Sequence, residues 1–522
     1  MDEFYKNIYM FKNPIRHFLN VENLIYNEIK SNKENTWTQP IIFKIRKYYG
    51  SSEFRTLSLP NFQSFYSLYE RIKSHPNFYD LKSINPDFSK ISVNLTTGDF
   101  SVFNYENHLN KDLERLTRYD TLFKMDIKSF YNSIYTHKLT KFITINNDPN
   151  EQLLSSLNFG VTKGILMGNY VSLFCAELFL KKIMGELYER LRQEGILFEL
   201  NYFSDDVYIF SFDKNEQIIK NSFNDILFKN GLESNENKLE KYNYEKYNSE
   251  NILIKYWKQI VSKQKEYESR YKEDINKYYL NFLNQIIYRR DKLNNKNKAV
   301  LTINFFKSNF FINMDTKKYQ FTGASGHQIQ FLIKEHPEIL LYFVTRFEDE
   351  LKYNEEFKKF SKFNFENSLD GNFFEEQLYY FYAIVILYSN CIIELNNLTE
   401  KVLKCDNQIL KSYWLEYFSD YDLEELLIND ECNWFFNYHL IRKLKIQKGE
   451  KFIERYIEYL LPVSIKGESQ TNNYLNFYKN NLSEDNTFVR FIDDVKIEIK
   501  SYLDAKLEER ELNEDYCDID EI

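Results

Sequence analysis

The chain is short of glycine and proline, with 13 and 8 in 522 residues, so few positions interrupt a helix. Cysteine is sparse as well. Cys175, Cys391, Cys405, Cys432 and Cys517 are scattered without paired spacing, which excludes a disulfide framework or zinc site and fits a reducing compartment. No apolar run approaches the roughly 18 residues that a membrane helix needs. No charged-then-apolar leader opens the chain, so a soluble cytoplasmic protein without membrane contact is expected. An excess of basic residues is missing too: 68 Lys plus Arg face 77 Asp plus Glu, a net charge of −9. That weighs against a nucleic-acid enzyme, but the bias is local. From Asp504 to Ile522 there are nine acidic and two basic residues, a net of −7, leaving −2 for the rest. This tail reads first as a solvated end and second as an interaction or self-masking segment. Tyr (42) and Phe (46) are abundant, but together with heavy Asn, Lys and Ile use they reflect AT-rich coding.

At 63.5 kDa the chain has room for two to four domains. Its texture changes near residue 245. Before that point short strand-like runs alternate with helices. After it, apolar residues recur every three or four positions, which predicts helices over 256–301, 329–347, 373–395, 409–427 and 452–460. Helix following helix suggests an α-helical array of the solenoid kind, although no exact period is present. Thr322-Gly-Ala-Ser-Gly326 reads as a connector, since no Lys-Ser or Lys-Thr follows to make a phosphate loop.

The chemistry concentrates in Asn201-Tyr-Phe-Ser-Asp-Asp-Val-Tyr-Ile-Phe210. Aromatic and β-branched runs flank Asp205 and Asp206, which predicts a β-hairpin with acid at its turn. Two such charges call for a cation. Leu122-Phe-Lys-Met-Asp126 is a second strand-like run and delivers one more carboxylate. Set beside the hairpin in one antiparallel sheet, it would bring three carboxylates to a pair of Mg²⁺ ions, the oxygen-only donor set this metal prefers. Gly164 and Gly168, four apart before an apolar helix, allow close backbone approach to a flat ligand. The polar loop from Gly231 ends in Lys238, within reach of a triphosphate.

Asp126 with Phe130-Tyr131, Gly164 with Gly168-Asn169 and Ser172, Phe203-Ser-Asp-Asp206, and Asn235-Glu-Asn-Lys238 resemble, in order and spacing, the palm motifs of reverse transcriptases. Asp126-Ile-Lys-Ser-Phe-Tyr-Asn-Ser-Ile-Tyr-Thr-His137 is most similar to the bacterial abortive-infection (Abi, unknown-group) branch, its AbiK-like members above all. Arg55-Thr-Leu-Ser-Leu-Pro-Asn61 is similar to the fingers segment before the palm. The resemblance covers residues 40–240. It implies an α+β fold: residues 1–245 as fingers and a ferredoxin-like palm, and 246–522 as an all-α, HEAT-like domain replacing the thumb. It implies Asp126, Asp205 and Asp206 as catalytic metal ligands for two Mg²⁺, with Mn²⁺ as a substitute. Tyr131 would be the aromatic gate against a ribose 2′-hydroxyl. Phe130, Gly168, Asn169, Lys238, Arg55 and Lys44 would bind nucleotide. The implied partners are dNTPs, a single-stranded DNA product attached to the protein, an RNA template or non-coding RNA, and further copies of the chain. The implied role is abortive infection against phage. Leu166 where relatives carry Pro, Asn169 where others carry Ser, and Phe203-Ser204 in place of Tyr-Ala favour the Abi branch, and with it protein-primed or untemplated synthesis. No single tyrosine stands out as the priming residue.

Three readings compete with this one: templated copying of retron or intron type, an inactive nucleic-acid-binding palm, and a regulatory protein whose helical array binds a phage partner. Asp493-Asp494, a second acidic pair, reads as a helix start or a solvated turn. The basic run of Arg289, Arg290 and Lys292 to Lys298 is either a solvated helix end or a phosphate-contacting edge.

Overall fold

The computed structural model describes residues 3–517 apart from 10–13, 28–35, 48–53, 101, 146–147, most of 251–274, 313–315, 317–320, 389–394, 419–421, 429, 463–464 and 466–467. Strands β1 (Ile41–Arg46) and β2 (Phe54–Leu59) form an antiparallel ribbon. Helices α1 (Phe62–Ile72) and α2 (Val102–Arg118) follow. The central sheet has four strands: β3 (Thr121–Asp126), β4 (Glu199–Phe203), β5 (Asp206–Ser211) and β6 (Glu240–Tyr242). Their order is β4-β5-β3-β6, antiparallel throughout. Helix α3 (Phe130–Ser133) leaves β3; α4 (Tyr170–Gln193) precedes the β4–β5 hairpin and α5 (Glu216–Lys229) follows it. Strand, helix, hairpin, helix, strand is a βαββαβ unit.

Alternation along β3 gives the sheet two different faces. Phe123 and Met125, with Val207 and Ile209 of β5, join the main core together with α4 and α5. On the other face, Leu122 and Phe210 sit under Leu116 and Tyr242 in a small separate cluster. Along that second face the chemistry changes from apolar to charged: the cross-strand pairs run Leu122–Phe210, Lys124–Tyr208, Asp126–Asp206. The strand end is therefore polar on its open side.

The second half is helical: α6 (Ile275–Arg290), α7 (Asn295–Phe306), α8 (Gly323–Glu335), α9 (Ile339–Leu351), α10 (Glu355–Asp370), α11 (Phe374–Tyr388), α12 (Gln408–Tyr417), α13 (Trp434–Lys448), α14 (Glu468–Asn481) and α15 (Ile492–Cys517). Several periodic stretches are shorter than the sequence predicts. The 329–347 run splits at Pro337 into α8 and α9, because proline has no N–H to continue a helix. The 256–301 run breaks between Arg290 and Asn295, and much of its first part lies outside the described residues. Thr322 to Gly326 is not a connector: Thr322 holds the N-cap position of α8, and Gly323 to Gly326 form its first turn. Asp493 and Asp494 do start a helix, α15. The acidic tail continues α15 as far as Cys517, and 518–522 lie outside the described residues. Cys175, Cys405 and Cys432 are free thiols.

Two features depart from a two-part plan with a linear array. One hydrophobic core runs through both halves without a break at residue 245. In a linear solenoid each repeat touches only its neighbours, but α15 returns to pack on α9, α11 and residues 14–18. The N-terminal segment is stitched to the C-terminal end by a bridge between Leu19 and Val489 and by paired backbone bonds, Asn20 N–H to Phe488 and Arg490 N–H to Phe18. The β1–β2 ribbon docks on the helices through Arg46, which pairs with Glu376 and lies 4.0 Å over the Phe373 ring. No described helix is long and apolar enough to cross a membrane.

Candidate active site

Asp126 is the last residue of β3 and faces Asp206, the first residue of β5. Asp205 lies in the two-residue turn of the β4–β5 hairpin, after Ser204, whose φ of 53° sets up the reversal. A backbone bond from Ile127 N–H to the Asp205 carbonyl (3.1 Å) fixes the turn against the end of β3. The three carboxylates predicted from sequence thus come together at one edge of the open sheet face.

Asp126 is buried and well held. Lys238 Nζ donates to its Oδ2 at 2.6 Å and Asn235 Nδ2 to its Oδ1 at 2.9 Å. Asn235 N–H also binds the Asp126 carbonyl at 2.8 Å, so the 231–238 loop runs alongside the strand end. The electrostatics are unbalanced in favour of anions. Burial, then the charges on Asp206 and Asp126, push the Asp205 carboxyl above its ordinary range, and Lys238 only partly opposes them. Burial alone would lower the Lys238 ammonium, but its bond to Asp126 and the three carboxylate charges raise it.

Oxygen-only donors with surplus negative charge suit a hard divalent cation. Among the described residues, however, no three such side chains stand close enough to hold one ion as placed. Each Asp126 oxygen accepts one hydrogen bond, so a metal shared by these residues would bind beside the Lys238 ammonium or displace it.

Tyr131 is half-buried beside the hairpin turn. Burial, then the charges of Glu177 and Asp205, raise its hydroxyl pKa, while a hydrogen bond with Ser204 opposes them. Phe130 is buried, with its ring 5.8 Å from that of Tyr131, and supports it from the core side. Gly168 adopts a φ of 106°, a conformation open to glycine, and the adjacent Met167 carbonyl accepts from Ser58 N–H at 2.8 Å, tying this loop to β2.

Asn169 needs correction as a ligand-facing group. It is buried and caps α4: its Oδ1 accepts from Ser172 N–H at 2.8 Å and its Nδ2 donates to the Leu166 carbonyl at 2.9 Å. Buried and bonded to backbone on both sides of its amide, it positions the start of the helix. Lys44 and Arg55 also part company. Lys44 is opposite Thr56 and Arg55 opposite Ile45, so the two basic side chains occupy opposite faces of the ribbon. Both side chains are exposed, Arg55 on the face of Ile45 and Lys44 on the face of Thr56.

Two contributors, Lys124 and Glu177, are not singled out by the sequence, and a third, Lys296, lies in the basic run that the sequence offers as a phosphate-contacting edge. Lys124, two residues before Asp126, shares its face; the alternation of β3 was the available signal. Glu177 is fully buried in α4, its Oε2 accepting from Ser89 Oγ at 3.2 Å, and burial raises its carboxyl to about 8. Its signal was an acid inside the apolar run 173–180. Lys296 comes from α7, and burial followed by the charge of Lys124 lowers its pKa, with Asp206 opposing. Within the basic run, Arg290 is buried against Glu335 (3.4 Å), whereas Lys296 is exposed.

No family model matches the chain, and no curated protein matches it. Among solved structures it is similar to apo telomerase from Candida tropicalis truncated from the C-terminal domain (15% identity, TM-score 0.28, covering 41% of this chain and 51% of that one). It is also similar to telomerase from Candida albicans in complex with a TWJ fragment of telomeric RNA (12%, TM-score 0.31, 76% and 64%). A further match is apo telomerase from Candida tropicalis (13%, TM-score 0.32, 78% and 70%). The chain thus spans about half the length of the first of these and up to 70% of the others. At such values the likeness assigns no role to any residue, and the site stands on its own geometry.

Proposed function

We propose that the chain is a Mg²⁺-dependent nucleotidyltransferase of reverse transcriptase type, built on a ferredoxin-like palm, that transfers deoxynucleotides to a hydroxyl and releases pyrophosphate. The observation that carries this reading is the meeting of Asp126, Asp205 and Asp206 at the tip of the β3–β4–β5 sheet, with Lys238 against Asp126.

Asp126, Asp205 and Asp206 would hold the ions; when bound, Mg²⁺ neutralises charge on the leaving pyrophosphate and activates the attacking hydroxyl. In the transfer the hydroxyl oxygen bonds to the α-phosphorus and the α–β bridging bond breaks. Lys238, raised in pKa and therefore protonated, offers its ammonium to the leaving phosphates once the carboxylate it now binds is shared with metal. Tyr131, held by Ser204 and Phe130, stands on the sugar side and selects deoxyribose sterically. Protein priming, untemplated synthesis, self-assembly and a role in abortive infection belong to the same proposal and rest on the motif resemblance.

A second reading, a palm that binds nucleic acid without chemistry, is favoured by the Lys238–Asp126 pair, which occupies a carboxylate the metal would use. The two separate on incubation with each labelled dNTP, in Mg²⁺ and in EDTA, with and without primer–template. Mg²⁺-dependent label in product supports the polymerase, and label migrating with protein after denaturation identifies protein priming. No incorporation under any condition leaves the scaffold.

A further inference from the structure

The β1–β2 ribbon is bonded to the helical half at one end and to the candidate site at the other. At the outer end Arg46 pairs in register with Phe54, forms an ion pair with Glu376 in the first turn of α11, and lies 4.0 Å over the Phe373 ring. Phe373 in turn stacks on Phe54, with ring centroids 6.4 Å apart, and Phe374 meets Phe43 edge-on at 5.7 Å. The Arg46 and Glu376 side chains keep 13% and 14% of their surface exposed. Such an enclosed pair adds little net stability over apolar side chains of the same size, but it specifies one geometry.

At the inner end Ser58 N–H donates to the Met167 carbonyl at 2.8 Å. Met167 lies in the loop from Gly164 to Gly168, which is bonded to the segment carrying Tyr131. Ile165 N–H donates to the Tyr131 carbonyl at 3.0 Å and Gly164 N–H to the Ile134 carbonyl at 2.8 Å. Between the two ends the ladder is unbroken from Ile41–Leu59 to Arg46–Phe54, a span of about 17 Å at about 3.4 Å per residue. Two strands alone are marginally stable in water. Ile41, Phe43 and Ile45 bury the inward face of the ribbon, but apolar burial is non-directional. The ion pair and the ring contacts set the angle of the outer end.

We infer that Glu376 is a positioning residue of the nucleotide site: through Arg46 it fixes the β1–β2 ribbon, and the ribbon holds the Gly164–Gly168 loop against the segment of Tyr131. The inference rests on the nucleotidyl-transfer reading and gives a task in it to the helical half, which bears none of the three carboxylates. Glu376 touches no reacting atom. It governs where Gly168 and Tyr131 stand, so it acts on nucleotide binding and leaves the chemical step alone. A purely structural pair would act on both alike, and only in proportion to the stability lost.

The test separates position from stability in the full chain. One variant is Glu376→Ala, which leaves the Arg46 charge enclosed. A second, Arg46→Met with Glu376→Leu, replaces the pair by apolar side chains and leaves no charge behind. Glu356→Gln, at an exposed acid of α10, is the control. For each, melting temperature, kcat and the Michaelis constant for dNTP are measured, and amide hydrogen exchange is followed at 54–59 and 164–168. Glu376→Ala should raise the Michaelis constant about tenfold with kcat within about twofold, inside the roughly hundredfold that a misplacement of about 1 Å can cost. The apolar pair should melt above Glu376→Ala, yet keep the raised Michaelis constant and the faster exchange at 164–168. The control should match the unaltered protein in every reading. A Michaelis constant restored along with the melting temperature in the apolar pair overturns the inference, and so does unchanged exchange at 164–168. Faster exchange there in a protein that incorporates no nucleotide keeps the hold of the ribbon on the loop and overturns the polymerase reading. Incorporation with a Michaelis constant unchanged by Glu376→Ala does the reverse.

Discussion

Asp126 and Asp206 stand directly opposite each other across the antiparallel ladder of β3 and β5. Two carboxylates in that register repel, and like charges opposed across strands destabilise a sheet. Among the described residues, only Asp126 of the two has a direct cationic partner, Lys238.

Removing that partner should expose the imbalance. Lys238→Ala leaves Asp126 buried with Asn235 as its hydrogen-bond donor, at a cost of about 1–3 kcal/mol. In EDTA the variant should unfold at lower urea than the unaltered protein. Millimolar Mg²⁺ should narrow the gap, since a cation at the same carboxylates replaces the lost charge. A gap insensitive to Mg²⁺ would argue that the carboxylates do not take metal.

Tyr131 gives a prediction about substrate. Shortening it to alanine removes the ring beside the hairpin turn without touching a carboxylate. Tyr131→Ala should raise ribonucleotide incorporation relative to deoxynucleotide by about tenfold or more, the scale of about 1.4 kcal/mol of lost discrimination. Competition between labelled dNTP and rNTP measures it, and an unchanged ratio would remove Tyr131 from the sugar side.

Glu177 makes stability depend on pH. Its carboxyl rises from an ordinary 4.5 to about 8 through burial, so the folded protein favours the protonated form. This contribution is fully present below pH 4.5 and is lost as pH rises through about 8. Glu177→Gln, neutral at every pH, should melt close to the unaltered protein at pH 5 and above it at pH 9. Melting curves at the two values decide this, and a difference that does not grow with pH would contradict it.

Asp99 ties the chain's two ends together. Its carboxylate accepts from Arg16 (3.3 Å), Tyr502 (2.5 Å) and Lys506 (3.0 Å), and among these Arg16 and Lys506 hold its pKa below the usual range against the effect of burial. Asp99→Ala leaves buried Arg16 without this acceptor and should lower stability by about 1–3 kcal/mol, read from the urea midpoint. Cross-linking of residues 14–18 to α15 should fall in parallel.

The sequence carried the site in its local patterns. Alternating β3 placed Asp126, and the aromatic runs around Ser204 and Asp205 placed the hairpin, because strand periodicity and turn chemistry are short-range properties. The capping role of Asn169 is not legible in sequence, because a helix cap and a ligand contact use the same residue type and only the bonds to the Ser172 N–H and the Leu166 carbonyl reveal the cap. Lys44 and Arg55 were grouped by charge, whereas register separates them by face. The basic run around Lys296 is visible in the sequence, but where it stands depends on how α7 packs, which no local signal encodes. The same holds for the return of α15 to the N-terminal segment.

The central claim is that Asp126, Asp205 and Asp206 form one metal-dependent transfer centre. Its most direct measurement is Mg²⁺-dependent incorporation of labelled dNTP by the unaltered protein and by Asp205→Ala, both shown folded by matching melts. Asp205 lies in a turn, outside the ladder, so the substitution should spare the fold and reduce incorporation at least about a hundredfold, as loss of a key electrostatic group does. Incorporation by Asp205→Ala at the rate of the unaltered protein would contradict the account.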